Sequence, residues 1–428
     1  MTSIEYFCQR ALPLWRASHP SVLWDHLMVD LLRPRTSLYH IVAAIGIQQR
    51  VIDEHFACAE MQERAVAFYA RAVTSLRSSI ASSEGQADSH VLPCLLMVVL
   101  EALRGSADGL LIHLRCGLRI LCESNRNTSE ETREAAKLLQ HYAVQTILFN
   151  TLSSEAQTTR SMLAKLLVTD ADTLELEAAS SPLPTLSTTT MELIGLVLDR
   201  YSVKPSPGSS DTLPKTLQTQ VSRLEKRRRI IEQTIDDMRA TAQSLGGAQT
   251  AVFSLAKASC VLMRIFLNAS LTNQQITFDS ELDSFRQVVG HVATALDLLQ
   301  PSFNDGKACA ASPTTLIVGL SIQTTLAIVM HRCRHPDVRR RIMSLLDRCP
   351  RREGICDLAL VKASCRAISD FEENAAGGKN VHIPEDCRVH SYIILSGAET
   401  QGATPVVRLY YRPLDDGEFS SKDITLHS

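Results

Sequence analysis

Apolar residues recur at a helical period along roughly the first 350 positions, and the period changes only past Gly377-Gly378. That switch restricts the chain to a helical body with a different kind of structure at its end. Leu38, Ile41, Val42, Ile45 and Ile52 share one face of a helix, and Met61, Ala65, Phe68, Ala72, Leu76 and Ile80 share a face of the next. A polar loop, Ser82–Ser89, leads into Val91–Leu103. Further helices are expected over Glu130–Leu152, Glu155–Val168, Met191–Tyr201, Leu217–Leu245, Val252–Leu267, Leu282–Leu299 and Thr315–His331. Beyond the two glycines, Val389–Leu395 and Val406–Tyr411 alternate as strands do, and Pro413–Gly417 turns into a last short strand. The fold class expected is mostly α, a multi-helix array of antiparallel helix pairs with a small C-terminal β element. Residues 1–376 form the helical domain, with an exposed Pro/Ser/Gly-rich loop at about 203–214. Residues 377–428 form a β-containing extension packing on it.

The run Cys349–Asp357 joins two amphipathic helices. Val338, Ile342, Leu345 and Leu346 line one face of the first, which must stop before Pro350. Ile355, Leu358, Cys365, Ile368 and Phe371 line the second, with Gly354 just before it. So tight and polar a link suits antiparallel neighbours. Nearer the start, Glu101-Ala102-Leu103-Arg104-Gly105 precedes His113-Leu114-Arg115-Cys116-Gly117-Leu118-Arg119-Ile120-Leu121. Gly117 and Leu121 follow His113 at helical spacing, so a neighbouring helix can approach closely there. Glu101 and Arg104 are placed to cap or pair at a helix end.

These two stretches resemble the regulatory domain that follows the zinc binuclear cluster in fungal-specific transcription factors. That family shows an E-x-x-x-G…H-x-x-x-G-L-x-I-L helix pair and a PRREGxWD-like turn. Here Cys356 or Ile355 stands where the turn has its Trp. The likeness runs more weakly from about Tyr6 to the end. It implies an architectural signature made of Glu101, Gly105, His113, Gly117, Pro350, Arg351, Arg352, Glu353, Gly354 and Asp357. It also implies transcriptional control in the nucleus, of a metabolic or secondary-metabolite gene set. Other regulatory proteins, a second copy of the chain and a small-molecule effector are the partners it allows. The alternative is a ligand-binding or scaffold protein that kept the fold and lost the regulator's task.

The zinc cluster itself is not expected here. Such a cluster needs paired Cys-x-x-Cys motifs so that thiolates can share two metals, and the sequence contains no Cys-x-x-Cys. Lys and Arg number 44 against 46 Asp and Glu, a net charge of −2, so no global positive field draws nucleic acid and no direct DNA binding is expected. The twelve cysteines, spread through 428 residues, read as reduced and mostly buried. No nucleophile elbow, zincin, P-loop or dinucleotide motif occurs, so neither a catalytic residue nor a cofactor is assigned. Cys309–Met330 lacks charge, but its Pro313, Gln323 and many Ser and Thr residues favour a buried helix starting near Pro313 over a membrane span.

Two basic runs stand out. Lys226-Arg227-Arg228-Arg229 is a candidate nuclear-import patch beside the Pro/Ser-rich loop, weighed against a solvated helical face with Glu225, Glu232 and Asp236. Arg339-Arg340-Arg341 shares a helix with Ile342 and Leu345, which places the arginines on its outer side and suggests ion pairing between helices.

Overall fold

The computed structural model describes residues 2–18, 22–31, 37–53, 59–82, 90–123, 129–149, 154–166, 215–241, 246–269, 274–303, 321–349, 352–353, 356–379, 382–395, 404–412 and 420–426, with a few positions between 185 and 193. The first helix, α1 (Ser3–Tyr6), opens with Thr2, whose hydroxyl accepts the Glu5 amide while the Glu5 carboxylate accepts the Thr2 amide. It runs through a π turn (Phe7–Ala11) into α2 (Leu12–Ser18). Next come α3 (Leu23–Leu31), α4 (Ser37–Asp53), α5 (Ala59–Ser82), α6 (Val91–Arg104), α7 (Ala107–Glu123), α8 (Glu130–Phe149) and α9 (Ser154–Leu166).

After a stretch that is largely outside the described residues come α10 (Lys215–Thr241), α11 (Gly247–Ala269) and a 3-10 turn (Gln275–Glu281). Beyond these lie α12 (Leu282–Phe303), α13 (Ile322–Arg332), α14 (Pro336–Leu346) and α15 (Leu358–Ala375). Two short strands, β1 (Arg352–Glu353) and β2 (Cys356–Asp357), pair antiparallel between α14 and α15. The chain closes with β3 (Val389–Leu395), β4 (Val406–Tyr411) and β5 (Ser420–Thr425), an antiparallel meander in the order β3-β4-β5. The mostly α class with a small C-terminal sheet therefore stands, and β3 and β4 keep the bounds that the residue alternation implied. The expected loop at 203–214, most of the helix over Met191–Tyr201 and the helix start near Pro313 lie outside the described residues. The helix α13 begins at Ile322, with Ser321 as its cap.

Neighbours in sequence pack together: α4 on α5, α6 on α7, α10 on α11 and α11 on α12. The centre of the array is α6, in which every residue from Val91 to Leu103 is buried. A helix apolar on all sides can only sit inside, and each Leu or Val buried there contributes about 1.5–3 kcal/mol. One apolar core joins α6 to α2, α4, α7, α8, α11, α12, α13 and α14. A second core lies between α10 and α11, around Leu224, Ile231, Ile235, Phe253 and Cys260. A third holds the sheet to α15, through Ala363, Ile368, Val389, Val407 and Leu409. The helix Gln249–Ala269 is long and apolar enough to cross a membrane, yet 78% of its most apolar window is buried within the array.

Gly46 marks the closest approach in this packing. A β-carbon built there would lie 1.9 Å from the carbonyl oxygen of Ser3, so α1 rests directly on the backbone of α4. Replacing Gly46 by Ala must displace α1. We expect Gly46→Ala to lower stability by about 1–3 kcal/mol in denaturant unfolding. An unchanged unfolding midpoint would show that α1 is not held against α4.

Candidate functional site

The acidic residues of the turn between α14 and α15 are helix caps. The Glu353 side chain is buried, and its carboxylate accepts the amides of Ile322 at 3.0 Å and Gln323 at 2.7 Å, the first donors of α13. Ser321 completes that helix start by accepting the Thr324 amide. Burial pushes the Glu353 carboxyl up to about 7, against the downward pull of the two amides and Ser321. Asp357 does the same for α15, accepting the amides of Ala359 and Leu360. The antiparallel pairing of Glu353 with Cys356 turns the chain from one cap to the other. Pro350, Arg351 and Gly354 lie outside the described residues, as does the side chain of Arg352.

The other signature lies at the α6–α7 junction. Gly105 ends α6 at φ 74°, a left-handed conformation that glycine adopts without strain, and the Ser106 amide returns to the Glu101 carbonyl. Glu101 is 1% exposed and takes Arg104 at 3.1 Å, whose guanidinium stacks 3.8 Å from the Tyr69 ring centroid. Gly109 leaves room for that carboxylate: a β-carbon there would come within 2.6 Å of it. Burial lowers His113, with Glu101 pulling the other way, so the ring is neutral at neutral pH. Gly117 faces Leu139 of α8 and Cys94 of α6, and a β-carbon would meet them at 2.8 and 3.2 Å. The roles of Gly109 and Tyr69 carried no sequence signal, because neither belongs to a recognisable pattern.

The basic run on α10 does not form one exposed patch. Arg227 is 1% exposed and pairs with Glu192, while Arg228 is 4% exposed and held between Glu225 and Glu232. Lys226 and Arg229 are exposed, and Arg229 pairs with Glu225. Arg227 lies four positions before the buried Ile231, and so faces the core that α10 shares with α11. The arginines of α14 divide likewise: Arg340 and Arg341 face outward as expected, but Arg339 is buried and pairs with Glu372 on α15. Pairing between helices therefore holds, and the outward placement fails for Arg339 because an acceptor awaits it inside.

Glu372 is the centre of the largest buried charge cluster described. Its carboxylate takes Arg334 at 2.9 Å, Arg339 at 2.5 Å and the Val389 amide at 2.8 Å. Burial raises the acid, but the two guanidinium groups outweigh it and hold Glu372 below the usual carboxylate range. His331, driven well below its usual range by burial, donates Nε2–H to the Val389 carbonyl at 2.9 Å. Alongside, Arg388 is fully buried and bidentate to Asp279 at 2.8 and 2.6 Å, and Glu385 accepts the amides of Gln275 and Ile276. A cavity of about 270 Å³ opens beside these pairs, lined by residues 278, 279, 282, 333–336, 382, 383 and 388. Sequence reading missed this cluster. Its one available signal is Glu372 four positions after Ile368 on the apolar face of α15.

Among the described residues no group of three His, Cys, Asp or Glu side chains is arranged to hold a metal. The described cysteines are free thiols, and Cys94, Cys260, Cys333, Cys349, Cys356 and Cys365 are buried. Residues 3–353 match the family model described as the fungal specific transcription factor domain. No curated protein and no solved structure matches the chain.

The displacement of Glu353 from 4.5 to about 7 sets a pH dependence. The folded chain binds this proton more tightly than the unfolded chain does. The cost of ionising the buried acid is absent below about 4.5 and complete above about 7, on the order of 3 kcal/mol. Glu353→Gln should remove this component, so the stability difference between wild type and variant should shift toward the variant as pH rises from 4.5 to 7. A difference independent of pH would show that Glu353 titrates in the folded chain as it does in the unfolded one. Glu372→Gln leaves two buried guanidinium groups facing a neutral amide, and should cost about 3–5 kcal/mol in denaturant unfolding. A loss below about 1 kcal/mol would mean that water replaces the carboxylate.

Proposed function

The chain belongs to the family of fungal specific transcription factor domains, and on that premise we propose that it is the regulatory, non-DNA-binding part of a transcriptional regulator of the zinc-cluster type. In this reading it acts in the nucleus on a metabolic or secondary-metabolite gene set. It works through contacts with other regulatory proteins or a second copy of itself. The observation that carries the reading is the extent of the match, which takes in the first signature and the turn as far as the Glu353 cap. The near-balanced charge and the lack of any Cys-x-x-Cys agree with a part that leaves DNA contact to another module. A transcription factor domain has no need of catalytic machinery, and no catalytic group is assigned. The ligand-binding alternative gains support from the cavity beside Arg334, and the two readings are compatible if the ligand is an effector.

Tethering tests the proposal. The full chain, fused to an unrelated DNA-binding domain, should raise or lower a reporter driven by that domain's sites several-fold relative to the domain alone. A folded fusion, present in the nucleus and without effect on the reporter, would overturn the regulatory reading. Nuclear import is assigned to the exposed members of the basic run, because Arg227 and Arg228 cannot be read by a partner without unfolding α10. In a fusion of the untethered chain to a large fluorescent reporter, Lys226→Gln with Arg229→Gln should move signal to the cytoplasm. Unchanged distribution would return the run to a role in packing.

A further inference from the structure

The geometry points to the cavity between the helical body and the C-terminal extension as a binding site for a small monocarboxylate with a short aliphatic or single-ring body. Phe278 and Leu282 on one side, and Pro336 and Ile383 on the other, form an apolar wall. At about 270 Å³ the space falls just short of the roughly 300–1,000 Å³ of drug-sized sites and suits a metabolite. Apart from Asp279, whose two oxygens both accept from Arg388, the lining offers His335 and Arg334 as donors. His335 accepts the Asp337 amide at Nδ1, so Nε2 is its nitrogen free to donate. Arg334 gives four of its N–H groups to Glu372, Val389 and the Arg332 carbonyl, which leaves one Nη1 hydrogen with no acceptor among the described residues.

Charge decides the class of ligand. Asp279, the acid of the lining, is neutralised by the bidentate Arg388, whose N–H groups are all taken by Asp279, Ile383 and Gln275. Arg334, by contrast, shares its counter-charge Glu372 with Arg339, so two guanidinium groups face one carboxylate. One positive charge is left over, enough for a single carboxylate. A phosphate dianion would need a second free cation and would meet Asp279 instead. The apolar wall then requires hydrocarbon next to the acid group.

Such a ligand would touch residues 278, 279, 282 and 333–336 of the body and 382, 383 and 388 of the extension. Those last residues lie beyond the family match at 3–353. If the chain acts in transcription, the site would hold its effector. Binding is measured on the protein alone, and its outcome is separate from that of the tethering experiment.

Hexanoate and benzoate, with hexanol and benzamide as neutral counterparts and inorganic phosphate as a dianion, are the probes for calorimetry and hydrogen exchange on the full chain. The expected result is saturable binding of one carboxylate with Kd below about 1 mM, and at least tenfold weaker binding of the neutral compounds and phosphate. Bound carboxylate should slow exchange at residues 278–282, 333–336 and 382–388 together. Leu282→Trp, which fills the cavity, should abolish binding. Absence of saturable binding to the wild type would overturn the proposal, as would equal affinity for hexanol and hexanoate, tighter binding of phosphate, or protection elsewhere. The exchange map of the wild type decides the matter even if Leu282→Trp fails to fold.

Discussion

A single buried carboxylate, Glu372, ties the end of the helical array to the sheet that comes after it. It accepts one guanidinium from the turn before α14, a second from α14 itself, and the first amide of β3. Three segments distant in sequence therefore meet at one charge. A charge this deep is tolerated only when it is paired and hydrogen-bonded, and two arginines with one backbone donor meet that condition. The position of β3 depends on it, and with β3 the register of β4 and β5.

Around that point the same device recurs in smaller form. Glu353 closes the first amides of α13, Asp357 those of α15, and Glu385 those of the 3-10 turn at Gln275. Each acid satisfies donors that have no partner within their own helix, and each sits where helix dipoles favour negative charge. Two of the three reach across the fold, Glu353 from 30 positions away from Gln323 and Glu385 from 110 away from Gln275. The turn signature thus holds two helices in place at once.

The basic residues obey the complementary logic. Arg227, Arg228, Arg334, Arg339 and Arg388 are all buried, and each has a carboxylate within 3 Å. Guanidinium suits this use because its planar fork can satisfy several acceptors with one charge. A chain with net charge −2 is therefore no guide to where its charges lie: several are held inside, pairing helices and anchoring the sheet.

Period and alternation by themselves determined most of the helices, the strands β3 and β4, and two of the glycine positions where helices turn or touch. These are local properties, set by which residues recur on one face and by where a β-carbon cannot be accommodated. Gly105 and Gly117 were legible for that reason, whereas Gly46, Gly109 and the cap at Asp357 emerged only from the fold. Tertiary structure alone decided which acids meet which partners across the fold. Nothing within a few positions of Glu353, Glu385 or Glu372 names Gln323, Gln275 or Arg334 as its partner. Nor does a run of four cations reveal that Arg227 and Arg228 turn inward while Lys226 and Arg229 face out. Pairing across 30 to 110 positions depends on how the helices stack, and that depends on the apolar core as a whole and not on any one segment.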